Sequence, residues 1–256
     1  MSVNSFPISH FSSSGAATTL KEDLIACWEF DETSAGDAID AHTGGYDLTM
    51  NNTPTQNVAG KIDKCVSLNG TNEYINYPTS VDTFTPAAAH SISFWVYRNG
   101  SGDASASLVT RFYNATSRKV LLATMIDSSH ATLANRILFQ YYDSSNAATN
   151  LIWNAGGTDY FTGTWNHMVY VRDGSSMELY RNGSSVQTAS GGNGSGKQTT
   201  SAGTFLTIGA TARYSSTPDL YGNLRFDQTA IWGKALTSTE VGLLYNSGDG
   251  LAYTEW

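Results

Sequence analysis

Charge is scarce in this chain. Of 256 residues, 14 are Lys or Arg and 22 are Asp or Glu, a net charge of −8 at neutral pH, and residues 1–20 carry no charged side chain at all. So few cations exclude the basic face that nucleic acid or an anionic bilayer requires. Long hydrophobic runs are missing as well: nothing approaches the roughly 18 apolar residues of a spanning helix, so membrane insertion is not expected. Cysteine is limited to Cys27 and Cys65, too few for a disulfide scaffold. Both fall in strand-like runs, LIACWEF and KCVSL, and read either as two buried thiols or as a bridge across paired strands. The opening MSVNSFPISHF lacks the basic and apolar regions of a secretory signal, which leads us to expect synthesis in a cytoplasm without a signal peptide.

Catalytic signatures are also absent. There is no H-E-x-x-H and no C-x-x-C, and His10, His42, His90, His130 and His167 are scattered. The run GGNGSGKQ from Gly191 to Gln198 stops short of a phosphate loop, because Gln198 stands where Ser or Thr holds magnesium.

What the chain does contain is a repeated two-residue alternation. In NHMVYVR, Met168, Tyr170 and Arg172 point one way and His167, Val169 and Val171 the other, the pattern of a strand packed on one face. Asp173-Gly174 and Asn182-Gly183 separate this run from SMELYR and SSVQT, and such dipeptides favour two-residue type I′ hairpins, so a three-stranded meander is expected. Further strands are expected at LIACWEF, YDLTM, KCVSLNG, EYINY, SISFWVYR, SLVTRFY, KVLLATM, RILFQYY, NLIW, TFLTIGA and NLRFDQTAIW. The segment NNTPTQNVAGK reads as turns, and Ser190 to Gly203 as a long exposed hairpin loop. About a dozen short strands separated by Gly, Asn, Asp and Ser clusters predict an all-β fold, a two-sheet antiparallel β-sandwich. One short C-terminal helix is expected over Thr237 to Ser247: Thr237 and Glu240 form a capping box, and Gly248 stands at the C-cap. The chain divides into an arm, residues 1–23, and one domain, residues 24–256. The arm's scattered Phe6, Ile8 and Phe11 are the candidate residues for docking on a partner.

Together LIACWEFDE, Asp40 with Gly44 and Gly45, GKIDKCVSLNGTNEYINYP, SISFWVYR, WNHMVYVRDGSSMELYRNG, LTIGA and FDQTAIWGKALTSTEVGLLYNSG resemble the concanavalin A-like, laminin-G-like jelly-roll family from about Leu24 to Leu251. The resemblance implies a jelly roll and several grafted functions. Glucan-cleaving members carry an E-x-D-x-x-E strand; Glu29-Phe30-Asp31-Glu32 lacks the downstream partner, so no catalytic residue is assigned and a non-enzymatic protein is expected. Family members bind calcium near positions matching Asp40 and Asp227, and Ca2+ is the cofactor this implies. Gln228, standing where the family usually has Glu, removes a ligand. The other reading is that Asp40 caps a turn and Asp227 accepts backbone hydrogen bonds. Lectin-like members stack sugars on loop aromatics, for which Tyr113, Trp153, Tyr160 and Tyr214 are candidates.

The C-terminal ALTSTEVGLLYNSGDGL resembles modules of bacteriophage structural proteins. The first functional expectation is therefore a virion surface protein, a capsid decoration or tail-associated adhesin. It would dock through its arm onto a capsid or tail protein of the same virion. The alternative is a stand-alone carbohydrate-binding protein, calcium-dependent, with a cell-surface glycan as partner. A homo-oligomer fits either expectation.

Overall fold

A computed structural model describes residues 20–78, 89–100, 105–113, 119–126, 136–143, 147–154, 162–192, 204–211 and 218–256. Within these, strands β1 (Leu24–Trp28), β3 (Thr55–Ala59), β4 (Lys64–Ser67), β6 (Ala89–Arg98), β11 (Asn166–Asp173), β12 (Ser176–Arg181), β13 (Ser184–Ser190) and β15 (Leu224–Trp232) form one antiparallel sheet. Its order is β13-β12-β11-β6-β15-β4-β3, with β1 also on β15. The second sheet runs β10-β9-β8-β7-β14-β5-β2. Its members are β2 (Thr49–Asn51), β5 (Tyr74–Asn76), β7 (Ser105–Tyr113), β8 (Lys119–Ile126), β9 (Arg136–Tyr142), β10 (Ala148–Asn154) and β14 (Thr204–Ile208).

The first sheet is organised on β15. One edge of it pairs with β6, and the other is shared end to end by β4, at Arg225 and Phe226, and β1, from Thr229 to Trp232. A bulge with Gln228 at φ +39° marks the division. An extra residue in one strand shifts the side-chain phase by one. Leu224 and Phe226 therefore face the space between the sheets before the bulge, and Ile231 does so after it, while Ala230 and Trp232 turn outward.

Two apolar clusters result. The larger lies between the sheets and includes Trp28, Phe94, Phe139, Tyr170, Leu179 and Phe226. The smaller lies on the outer face of the first sheet, where Val169, Val171, Tyr180 and Trp232 are covered by Leu236, Val241, Leu244 and Trp256 of the C-terminal segment. The expectation that β11 packs on one face is thus corrected. From Asn166 to Arg172 every residue is buried, because Met168, Tyr170 and Arg172 face the other sheet while the C-terminal segment covers the alternate side chains.

The helix responsible, α1 (Ser238–Tyr245), starts as expected: Thr237 accepts from the Glu240 N–H, and the Glu240 carboxylate accepts from the Thr237 N–H. Its end is different. Asn246, at φ 47° and ψ 54°, is the left-handed C-cap, and Gly248 follows in a 3-10 turn at φ +104°. Asn is the other residue that tolerates this conformation.

Three further expectations change. Asn182 and Gly183 both have positive φ, as a type I′ turn requires, but in the first hairpin Asp173 pairs with Ser176 and only Gly174 is left-handed. That is the arrangement with glycine at the first of two central positions. The turn-like NNTPTQNVAGK contains β3, an edge strand with an exposed-intermediate alternation, a bulge and Asn57 at φ 58°, which gives it no apolar signature. Finally, the segment after Ser190 joins β13 of the first sheet to β14 of the second, so it is a crossover and not a hairpin loop. Cys27 and Cys65 are free, buried thiols. Burial pushes Cys65 up to about 12 and Cys27 well above its usual value, which removes thiolate reactivity.

Candidate functional site

Along β9 and β10 alternate residues turn out to solvent: burial in RILFQYY alternates without a break, and in ATNLIWN only every second side chain is covered. The outward positions are Arg136, Leu138, Gln140 and Tyr142 on β9 and Ala148, Asn150, Ile152 and Asn154 on β10. The strands are in register without a shift, which sets Tyr142 beside Ala148, Gln140 beside Asn150, Leu138 beside Ile152 and Arg136 beside Asn154.

The polar members are linked. Tyr142 donates its hydroxyl proton to Gln140 Oε1 at 3.2 Å, and Gln140 Nε2 donates to Asn150 Oδ1 at 2.8 Å. Such a chain fixes the orientation of both amides while each retains an N–H proton for an incoming acceptor. Ile152 beside it is 37% exposed, one of two large hydrophobic side chains so exposed among the described residues. A surface joining oriented amides, a phenol and exposed apolar carbon suits a polyhydroxylated ring that offers both C–H and O–H groups.

Register carries the Gln140 row across the sheet, through Leu122, Thr110, Thr207, Asn76 and Thr49. Seven strands at about 4.8 Å give a line of about 29 Å. Along this row Asn150 is exposed and Gln140 half-buried at the β9–β10 edge, Thr207 is buried, and Asn76 and Thr49 at the far end are half-buried. The two-residue period of RILFQYY, which separates Gln140 and Tyr142 from Tyr141, was the signal that could have found this face. A search for loop aromatics passes over it.

The residues expected from sequence stand elsewhere. Trp153 points to the interior side of β10, packs on the main core and has Arg181 Cζ 5.6 Å from its ring centroid. It is not part of the Gln140 face. Tyr113 ends β7, and its side chain lies outside the described residues, as do Tyr160, Tyr214, Phe6, Ile8 and Phe11.

Asp40 and Asp227 both lie near the end of β1: Asp40 bridges to Trp28, and Trp28 pairs with Thr229, two residues from Asp227. Asp40 Oδ1 accepts from the Cys27 and His42 N–H groups at 3.1 and 3.0 Å, and Oδ2 accepts from the Thr43 N–H at 3.3 Å and the Thr43 hydroxyl at 2.6 Å. Burial works against this charge, but the hydrogen bonds from Thr43, Cys27 and His42 outweigh it and hold the carboxyl below its ordinary range. Asp227 is fully buried. Its Oδ2 accepts from Lys61 N–H at 2.6 Å and Ile62 N–H at 2.9 Å, and its Oδ1 has no partner among the described residues. Burial raises this carboxyl well above its usual value, the backbone donors oppose the rise, and the charges of Asp31 and Glu29 add to it.

Calcium needs six to eight oxygens turned toward it. Asp40 is instead ringed by four hydrogen-bond donors, a setting that fits the anion and not a cation. Among the described residues no group of three or more His, Cys, Asp or Glu is arranged to hold a metal. The acidic run after β1 is likewise engaged with the backbone: Asp31 accepts from the Lys64 N–H at 2.8 Å and Glu32 from the Ile39 N–H at 2.8 Å.

Two packed antiparallel sheets, a short C-terminal helix and a polar sheet face define a lectin-like sandwich. The chain belongs to the laminin-G-like family described as the concanavalin A-like lectin/glucanases superfamily, whose model matches residues 69–242. No curated protein sequence matches it. Among solved structures it is similar to the receptor-binding domain of botulinum neurotoxin type G (16% identity, TM-score 0.60), over 88% of this chain and 51% of that one. It is also similar to the ligand-binding domain of botulinum neurotoxin serotype D in complex with N-acetylneuraminic acid (14%, 0.61), over 91% and 53%. The chain thus spans about half the length of these toxin domains. A third similar structure is domain 4 of an extracellular arabinanase from Geobacillus stearothermophilus in complex with arabinotriose (18%, 0.60), over 86% and 97%. At these identities the likeness is one of fold. No helix among the described residues is long and apolar enough to cross a membrane.

Proposed function

We propose that this chain is a non-catalytic glycan-binding module whose ligand lies across the solvent face of β9 and β10. The observation that carries this reading is the hydrogen-bonded series Tyr142–Gln140–Asn150 beside exposed Ile152. Sugar hydroxyls pair with the oriented amides, and the C–H face of a ring rests on Ile152 and Leu138. Binding in place of hydrolysis is supported by composition: β7, β8, β9 and β10 themselves contain no Asp or Glu, and Asp143, next after β9, is buried and accepts from the Ala147 N–H. The sugars named with the serotype D domain and the arabinanase domain are in keeping with this reading.

Binding to a glycan array by the wild type, and by a Gln140→Ala/Tyr142→Ala double variant, is the test. At least a tenfold loss of affinity with an unchanged melting temperature is expected. Undiminished binding by the double variant would place the ligand elsewhere.

The virion-surface role is the second reading, with a capsid or tail protein as partner. Its support is the uncharged stretch 1–20. The run ALTSTEVGLLYNSGDGL is accounted for by packing, since Leu236, Val241 and Leu244 seal the outer core. Deleting residues 1–19 tests it: a truncated protein that joins its particle normally excludes docking through the arm.

A further inference from the structure

The outward positions of β9 and β10 carry one charged side chain, Arg136, and no carboxylate. They do so in a protein whose net charge is −8, and Asp143, the residue after β9, is buried. A cation with no carboxylate among these outward positions suits an anionic ligand.

Arg136 brings that charge to the surface described above. It is an outward position of β9, level with Asn154 on β10 and Ile126 on β8. From Gln140 it is four residues along the strand, about 13 Å at the usual rise, with Leu138 and Ile152 between. Its Nε is buried without a hydrogen-bond partner among the described residues.

We infer that the glycan taken by this face is an acidic one, a sialic- or uronic-acid-containing oligosaccharide whose carboxylate is seated on Arg136 while its neutral sugars cover Leu138, Ile152, Gln140, Asn150 and Tyr142. The inference rests on the glycan-binding reading and deepens it. A carboxylate presents two coplanar oxygens that match the planar fork of Arg, the geometry of a bidentate pair. A sulfate ester shares the charge but not that planarity, so the test includes it.

Wild-type protein, Arg136→Gln and Arg136→Lys are titrated with 3′-sialyllactose, tetragalacturonate, their carboxyl-reduced counterparts, lactose and sulfated lactose, and melting temperatures are recorded in parallel. The wild type is expected to bind a carboxylated sugar at least tenfold more tightly than its reduced counterpart. Arg136→Gln loses that ratio while keeping its affinity for the reduced sugar, and Arg136→Lys keeps part of it. Equal affinity of the wild type for acidic and reduced sugars overturns the inference and leaves the glycan-binding reading standing, as does a preference for the sulfated sugar alone. A ratio unchanged in Arg136→Gln overturns it too. Failure to bind any glycan, here and on an array, overturns both. If Arg136→Gln does not fold, the wild-type ratio of acidic to reduced sugar, and its loss at high salt, decide.

Discussion

His167 Nε2 lies 2.8 Å from Ser93 Oγ in the buried layer beneath α1, with the Trp95 ring centroid 4.9 Å from the imidazole and Tyr245 stacked at 6.2 Å. The same residue is pinned through its backbone, whose N–H donates to Asn182 Oδ1 at 2.9 Å. This ties the hairpin turn at Asn182 to the strand two positions away in the sheet, and it gives His167 a structural part in place of a chemical one.

Burial lowers the His167 pKa from 6.5 to about 3. The folded state therefore binds fewer protons than the unfolded state between these values, and stability falls as pH drops from about 6.5 toward 3, with a slope approaching ~1.4 kcal/mol per pH unit. Asp31 acts in the opposite sense. Burial raises it to about 6 against donation from the Lys64 N–H, so its contribution is present at low pH and fades as pH rises through 6. His167→Gln is expected to flatten the acid limb of a plot of urea midpoint against pH between 6.5 and 4. An acid limb as steep as the wild type's would show that His167 is not its source.

Thr237→Ala removes the side-chain half of the capping box of α1. A loss of about 1 kcal/mol is expected. In a chain of this size that lowers the melting temperature by about 2–4 °C. Calorimetry measures this directly.

Gly250 has φ +80°, and a Cβ there would stand 2.5 Å from Ile62 Cδ1 and 3.4 Å from Trp95 Nε1. Gly250→Ala combines left-handed strain with a collision, and a loss of about 2 kcal/mol or more is expected. Because the strain bears on the chain segment over the outer core, hydrogen exchange is expected to quicken first in α1 and afterwards in β11.

Trp153→Ala distinguishes a packing residue from a ligand-binding one. Its ring lies on the interior side of β10, so the substitution is expected to cost about 2 kcal/mol of stability. Affinity for any glycan held on the Gln140 face is expected to stay within twofold.

The donor-filled Asp40 carboxylate leads to a prediction about metal. Addition of a chelator is expected to leave the melting temperature unchanged, whereas a calcium-dependent rise would require a site this donor set does not fit. Asp40→Ala strands four donors at the end of β1 and is expected to cost at least about 2 kcal/mol.

The sequence by itself determined the strands whose neighbours in the chain supply the signal. Alternation in SISFWVYR and RILFQYY, the Asn182-Gly183 turn and the Thr237–Glu240 box each follow from contacts a few residues apart, and the order of these runs was enough for the family. Tertiary structure alone decided the rest. Nothing local says that α1 covers Val169 and Val171, that a bulge at Gln228 divides β15 between β4 and β1, or that β13 and β14 belong to different sheets. β3 escaped notice because an exposed, bulged edge strand has no apolar period to detect. The candidate site was legible by half. Its outward positions follow from the period of two, but the pairing of Gln140 with Asn150, and the turning of Trp153 away from them, depend on register between strands, which is set by packing against the opposite sheet.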